Sequence, residues 1–124
     1  MARRRMLMID VMESDSFITL TPSAQALYLH LNMNADDDGV VGKWKTLLRS
    51  LSIRTIHLDA LINADFVLKL DGDILLITDW PSHNKIRADR YTPGRYKNEV
   101  DTQVILKNGR YCKRSERFWS SQNR

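Results

Sequence analysis

Three histidines, one cysteine and a run of aspartates are the residues best suited to chemistry in this chain of 124 residues. The aspartates come nearest to a known pattern. Asn34, Asp36, Asp38 and Gly39 fall at what would be positions 1, 3, 5 and 6 of a calcium-binding EF-hand loop. Position 12 of such a loop is a bidentate Glu; here it is Lys45, inside an expected helix. The stretch Asn34-Ala35-Asp36-Asp37-Asp38-Gly39 is therefore expected to be a turn whose carboxylates accept hydrogen bonds from backbone N–H groups. His30, His57 and His83 are scattered, and His30 falls at the boundary of a helical stripe. Cys112 has cationic neighbours, Arg110 and Lys113, but a single cysteine excludes an internal disulfide and leaves no zinc-finger spacing. There is no Gly-rich phosphate loop before a helix, no nucleophile motif and no metal-ligand cluster. The expectation is a non-enzymatic protein with no cofactor and no metal.

The chemistry that remains is that of charge. The net charge is +4, unevenly spread. Residues 1–42 carry three Arg and six acids, a net −3, and residues 43–84 balance at five of each. Residues 85–124 carry eleven basic groups against four acidic ones, a net +7. Lys85, Arg87 and Arg90 are interleaved with Ile86 and Tyr91, so apolar anchors would pin the segment while the cations point outward. Guanidinium groups suit phosphate oxygens through paired hydrogen bonds. The alternative use of the same residues is internal pairing with Asp79 and Asp89.

These charges need elements to position them, and the stretch from Lys43 to Trp80 supplies them. Trp44, Leu47, Leu48 and Leu51 lie at i, i+3, i+4 and i+7, one face of a helix. That helix has Lys43, Lys45 and Arg49 on its wet side. After Ser52-Ile53-Arg54, the residues Leu58, Leu61 and Ile62 repeat the stripe on a second helix, about residues 55–64. Its outward candidates are Arg54, Thr55, His57, Asp59 and Asn63. Thr55 or Asn63 would touch bases, whereas Asp59 would repel phosphate. Ile53 and Ile56 are expected to pack inward, and Asp65 stands where a helix-ending Gly would be more comfortable. Residues 66–70 and 74–78 are apolar runs of strand length, and Asp71-Gly72 between them suits a two-residue type I′ turn. Two short helices followed by a hairpin is the order of a winged helix-turn-helix, a module that binds duplex DNA or contacts proteins.

Upstream, Met6 to Met12 reads as a short strand or extended arm, followed by a short helix over residues 14–19. Thr21 caps the next helix, with Pro22 at its first position and Ala24, Leu27, Tyr28 and Leu31 as its buried stripe. Val40-Val41 adds a short strand. Downstream, Asn108-Gly109 sits between Val104-Ile105-Leu106 and Arg110-Tyr111-Cys112, a strong hairpin signal. The basic end, Lys113 to Trp119, carries Phe118 and Trp119, which would stack on bases, bind a partner or cover the domain's own apolar surface. The fold expected is α+β: a winged-helix domain over residues 1–93 and a basic extension over 94–124, shaped as a β-hairpin. No apolar run approaches the length of a membrane span, and the start lacks the features of a secretory signal. A cytoplasmic protein is expected.

Four stretches resemble one family. Met1-Ala2-Arg3-Arg4-Arg5-Met6, Ser23-Ala24-Gln25-Ala26-Leu27-Tyr28, Ala35-Asp36-Asp37-Asp38-Gly39 and Ile86-Arg87-Ala88-Asp89-Arg90-Tyr91 look like the N-terminal domain of phage replisome organisers. These are the DnaD-like replication initiation proteins of phages infecting Firmicutes. The resemblance covers about residues 1–93. It implies a winged helix, origin recognition or helicase loading, and a place in the cytoplasm of a bacterial host cell. Arg54, where a small capping residue is common, and Asp65, where Gly is common, depart from the family pattern. So does the short tail ending at Arg124, which has no room for a helicase-loading domain. The reading is a phage DNA-binding protein gripping duplex phosphates through Lys43, Lys45, Arg49, Arg54, Lys85, Arg87 and Arg90. The alternative is a phage inhibitor of a host or defence complex, such as an anti-CRISPR protein. Partners implied are duplex DNA, and replication proteins or a host defence protein; a homodimer is allowed and a membrane is not.

Overall fold

A computed structural model describes residues 4–114; the expected basic and aromatic end from Ser115 to Trp119 lies outside the described residues, as do Met1 to Arg3. The architecture is mixed α+β. Two helical turns, α1 (Ile9–Met12) and α2 (Asp15–Ile18), lead into the long helix α3 (Pro22–Met33). Then come β1 (Val40–Val41), α4 (Trp44–Leu51), α5 (Thr55–Asn63), β2 (Val67–Leu70) and β3 (Ile74–Ile77). A further turn α6 (Trp80–His83), a helix α7 (Lys97–Gln103) and the hairpin β4 (Val104–Lys107) and β5 (Arg110–Lys113) complete the described residues.

Local chemistry sets most of these boundaries. Thr21 caps α3 by accepting from the Ala24 N–H, and Pro22 opens the helix where a missing N–H costs nothing. Ser14 caps α2 by accepting from the Phe17 N–H. The α3 stripe is sealed: Ala24, Leu27, Tyr28 and Leu31 are all fully buried. Ser52 closes α4 at φ 54°, and Asp65, just past the α5 end, sits at φ 65°. Both are left-handed, which explains why Gly would be easier at position 65. Arg54 occupies the N-cap of α5 without a side-chain cap bond.

Three expectations need correction. Residues 9–12 form a helical turn rather than a strand, because the Glu13 and Met12 N–H groups close back on Ile9 and Met8. The hairpin between β2 and β3 is not a two-residue turn. Leu70 pairs with Ile74, so three residues make the connection, with Gly72 at φ 97° and Asp73 at φ 58°. Ile56 does not pack inward but is 61% exposed on the first turn of α5. The Asn108-Gly109 turn does follow the rule: Lys107 pairs with Arg110, and both turn residues have positive φ, at 53° and 78°.

The strands form one three-stranded antiparallel sheet in the order β1-β3-β2, and β4 and β5 form a separate two-stranded ladder. Side chains alternate across the central sheet. Val41, Val67, Leu75 and Ile77 face a core built with Leu27, Tyr28, Leu31, Leu48, Leu58 and Leu61. Phe17, Tyr28 and Phe66 meet edge to face in its middle, with centroids 5.2 to 5.9 Å apart. Val40, Leu68, Leu70, Ile74 and Leu76 face the other way, into a second core closed by Val100 and Val104. Both faces of β3 are therefore buried, as its unbroken apolar run Ile74-Leu75-Leu76-Ile77 requires. Residues 94–114 of the extension supply that second cover. Tyr111 packs against both cores, and its N–H donates to the Thr78 carbonyl.

Candidate nucleic-acid interface

The site begins with α4 and α5, whose buried stripes fix which side chains are left outside. Trp44 and Leu48 turn α4 inward, so Lys43, Lys45 and Arg49 stand exposed. Leu58 and Leu61 do the same for α5, leaving Arg54, Thr55 and Asn63 exposed. His57 is fastened: its Nδ1 lies 3.0 Å from the Thr21 hydroxyl, which ties the start of α5 to the start of α3. Lys45 is partly neutralised by an ion pair to Asp73 at 2.8 Å, on the connection between β2 and β3. Lys43, Arg49 and Arg54 form no ion pair among the described residues.

Lys85, Arg87 and Arg90 are also exposed, on the segment that follows α6. This segment is held from its far end by the aspartate loop. The Tyr91 hydroxyl donates to Asp38, the Thr92 N–H to Asp37 and the Gly94 N–H to Asp38. Glycine suits position 94, because a Cβ there would crowd the Asp36 carboxylate. Tyr91's phenol pKa is pushed up, first by loss of solvent and then by its bond to Asp38. Arg87 pairs with Asp89 at 3.2 Å, a contact with both side chains well exposed. Lys85 and Arg90 form no ion pair among the described residues. Of the nine expected contact residues, six lie on α4 and α5 or at their N-caps and three on residues 85–90, and all nine are exposed.

The aspartate loop acts as a turn and as an anchor. Asp36 Oδ1 accepts from the N–H groups of Asp38 at 2.9 Å and Val40 at 3.0 Å. Its burial raises the carboxyl pKa, those two bonds oppose the rise, and the neighbouring Asp38 and Asp37 add to it. Asp37 is matched by Arg5, whose guanidinium donates to the Ala35 carbonyl at 2.7 Å and lies 3.3 Å from the Asp37 carboxylate. Arg5 also stacks 5.0 Å from the Trp80 ring, and Trp80 Nε1 donates to the Asp37 carbonyl. The N-terminal arm continues along α6: the Met6 N–H donates to Asn84 and the Met8 N–H to His83 Nδ1.

Sequence reasoning missed several residues that shape this surface. Nothing in the sequence marks Arg5 for burial, yet its side chain is 5% exposed. Arg110 bridges the two halves of the fold, with Nε donating to Asp79 at 2.8 Å and Nη2 donating to the Asp65 carbonyl at 3.0 Å. Gln103 clasps the tip of the β2–β3 hairpin: its Oε1 accepts from the Asp71 N–H and its Nε2 donates to the Asp71 carbonyl. No short-range pattern announces such contacts; the available signal was the apolar run at residues 74–77, which demanded a second cover. Among the described residues, no helix is long and apolar enough to cross a membrane. No family model, curated protein or solved structure matches this chain.

Proposed function

We propose that this chain is a non-enzymatic DNA-binding protein with a winged-helix core, of the phage replisome-organiser type. The element order α3, β1, α4, α5, β2, β3 and the sheet order β1-β3-β2 support the winged-helix reading. In that reading α5 is the helix that enters the major groove and the β2–β3 hairpin is the wing. The observation that carries the functional reading is a set of exposed cations without ion pairs among the described residues: Lys43 at the N-cap of α4, Arg49 on α4, and Arg54 at the N-cap of α5. Backbone phosphates are the polyanion such cations fit, and Thr55 and Asn63, exposed at the two ends of α5, would meet base edges. Lys85, Arg87 and Arg90 would add a second line of phosphate contacts.

Fluorescence anisotropy with a labelled duplex tests this. Binding should weaken steeply with salt, by a log–log slope of about −0.9 for each phosphate neutralised. Arg49→Glu with Arg54→Glu should abolish it, as should Arg87→Glu with Arg90→Glu. Unchanged binding in both double variants would reject the reading. A second reading, an inhibitor that docks on a host defence protein, is favoured by one feature. Ile56, 61% exposed, and Asp59 occupy the face of α5 that would meet DNA, and they suit a protein surface better. It calls for a stable complex with a protein target that survives nuclease treatment.

A further inference from the structure

The tip of the β2–β3 hairpin and the C-terminal hairpin enclose an open groove of about 350 Å³, lined by Lys69, Asp71, Thr102, Gln103, Lys113 and Arg114. Its floor is internally satisfied. Gln103 is engaged on both polar groups of the Asp71 backbone, and the Thr102 hydroxyl donates to α7 carbonyls. What the groove offers a ligand is therefore charge. Arg114 donates Nε and Nη2 to the Asp101 carbonyl, a contact that orients the guanidinium without neutralising it. Lys69 and Lys113 form no ion pair among the described residues; the Lys69 ammonium lies 5.4 Å from the Trp44 ring, a contact that leaves its charge in place, and the nearby acids Asp73 and Asp101 are already matched by Lys45 and Lys97. Three cationic residues thus line the groove beside one carboxylate, that of Asp71.

We propose that this groove is a phosphate-binding site of its own, gripping the backbone of duplex DNA through Lys69, Lys113 and Arg114. The inference rests on the DNA-binding reading and extends it to residues outside α4, α5 and the 85–90 segment. The clasp by Gln103 gives the site its rigidity. It fixes the hairpin tip against the end of α7, so the strands that carry Lys69 and Lys113 keep their spacing before a ligand arrives. A backbone preorganised in this way loses little conformational freedom on binding.

The test uses the full chain and a labelled duplex across a salt series. Lys69→Gln with Lys113→Gln should weaken binding about tenfold at physiological salt and make the log–log slope shallower by about two. Lys69→Arg with Lys113→Arg should restore both. Coincident circular-dichroism melts establish that the variants fold alike. Arg54→Glu, run in parallel, probes α5. If the double Gln variant keeps wild-type affinity and slope while Arg54→Glu loses binding, the groove is overturned and the DNA-binding reading stands. If the double Gln variant loses affinity and slope while Arg54→Glu does not, the groove is supported and the role of α5 is overturned. A wild-type chain without salt-sensitive duplex binding overturns both.

Discussion

His83 is one of the side chains that hold the N-terminal arm. Its Nδ1 accepts from the Met8 N–H at 2.8 Å, and a backbone N–H only donates, so the bound ring is neutral with its proton on Nε2. That nitrogen meets the Tyr28 hydroxyl at 2.5 Å in the core. Burial holds the imidazole pKa below its ordinary 6.5, with Asp79 opposing the shift. The unfolded chain therefore takes up the proton first. The stability owed to this group is complete above pH 6.5 and declines as pH falls from 6.5 toward the folded value. Each unit of separation between the two values is worth about 1.4 kcal/mol. Urea unfolding across this window should show stability falling with acid. His83→Asn keeps an acceptor near the Nδ1 position and cannot titrate. It should lower stability overall yet flatten the decline; a variant that retains the full slope would clear His83 of the effect.

At the scale of elements, helices α2 to α5 were legible because their signals are local. The α3 stripe, its Thr21-Pro22 start and the stripes of α4 and α5 need only a periodicity and a cap to be read. The aspartate loop and the Asn108-Gly109 turn were legible for the same reason. The three-residue connection at 71–73 was misread because its register depends on the paired strands and not on the dipeptide alone. What could not be read was the join between elements far apart in the chain. Arg5 reaches Asp37, and Gln103 reaches Asp71, across 32 residues in each case. The role of α7 and the β4–β5 hairpin as the lid of the sheet is the largest example. It yields a prediction: Val104, 4% exposed, is part of a shared core. Val104→Ala should cost about 1–3 kcal/mol, in the range set by lost burial and the space left behind. Denaturation should remain one cooperative transition, with the midpoint shifted and the m-value unchanged. Two transitions, or no shift, would show that the extension folds apart from the sheet.

Over the whole molecule, DNA affinity in the proposed reading depends less on net charge than on which cations are already matched. Exposed ion pairs contribute little to stability, so nearby acids chiefly compete with phosphate for the same cation. Lys45 and Asp73 are such a pair, with side chains 62% and 53% exposed. The pair joins α4 to the hairpin tip, and Trp44 Nε1 reinforces that join by donating to the Asp73 carbonyl. Asp73→Asn is a clean way to break the charge pairing. Asn is among the few residues that accept a φ of 58°, and the carbonyl that Trp44 uses is unchanged. The substitution removes a negative charge from the proposed interface and releases Lys45. Duplex affinity should rise a few-fold at low salt, and the log–log slope should steepen by about one as a further phosphate is neutralised. The thermal midpoint should hardly move. Affinity that stays flat or falls, with the fold intact, would mean that Lys45 and the hairpin tip face away from the duplex, and the contact surface would have to be sought among the remaining cations.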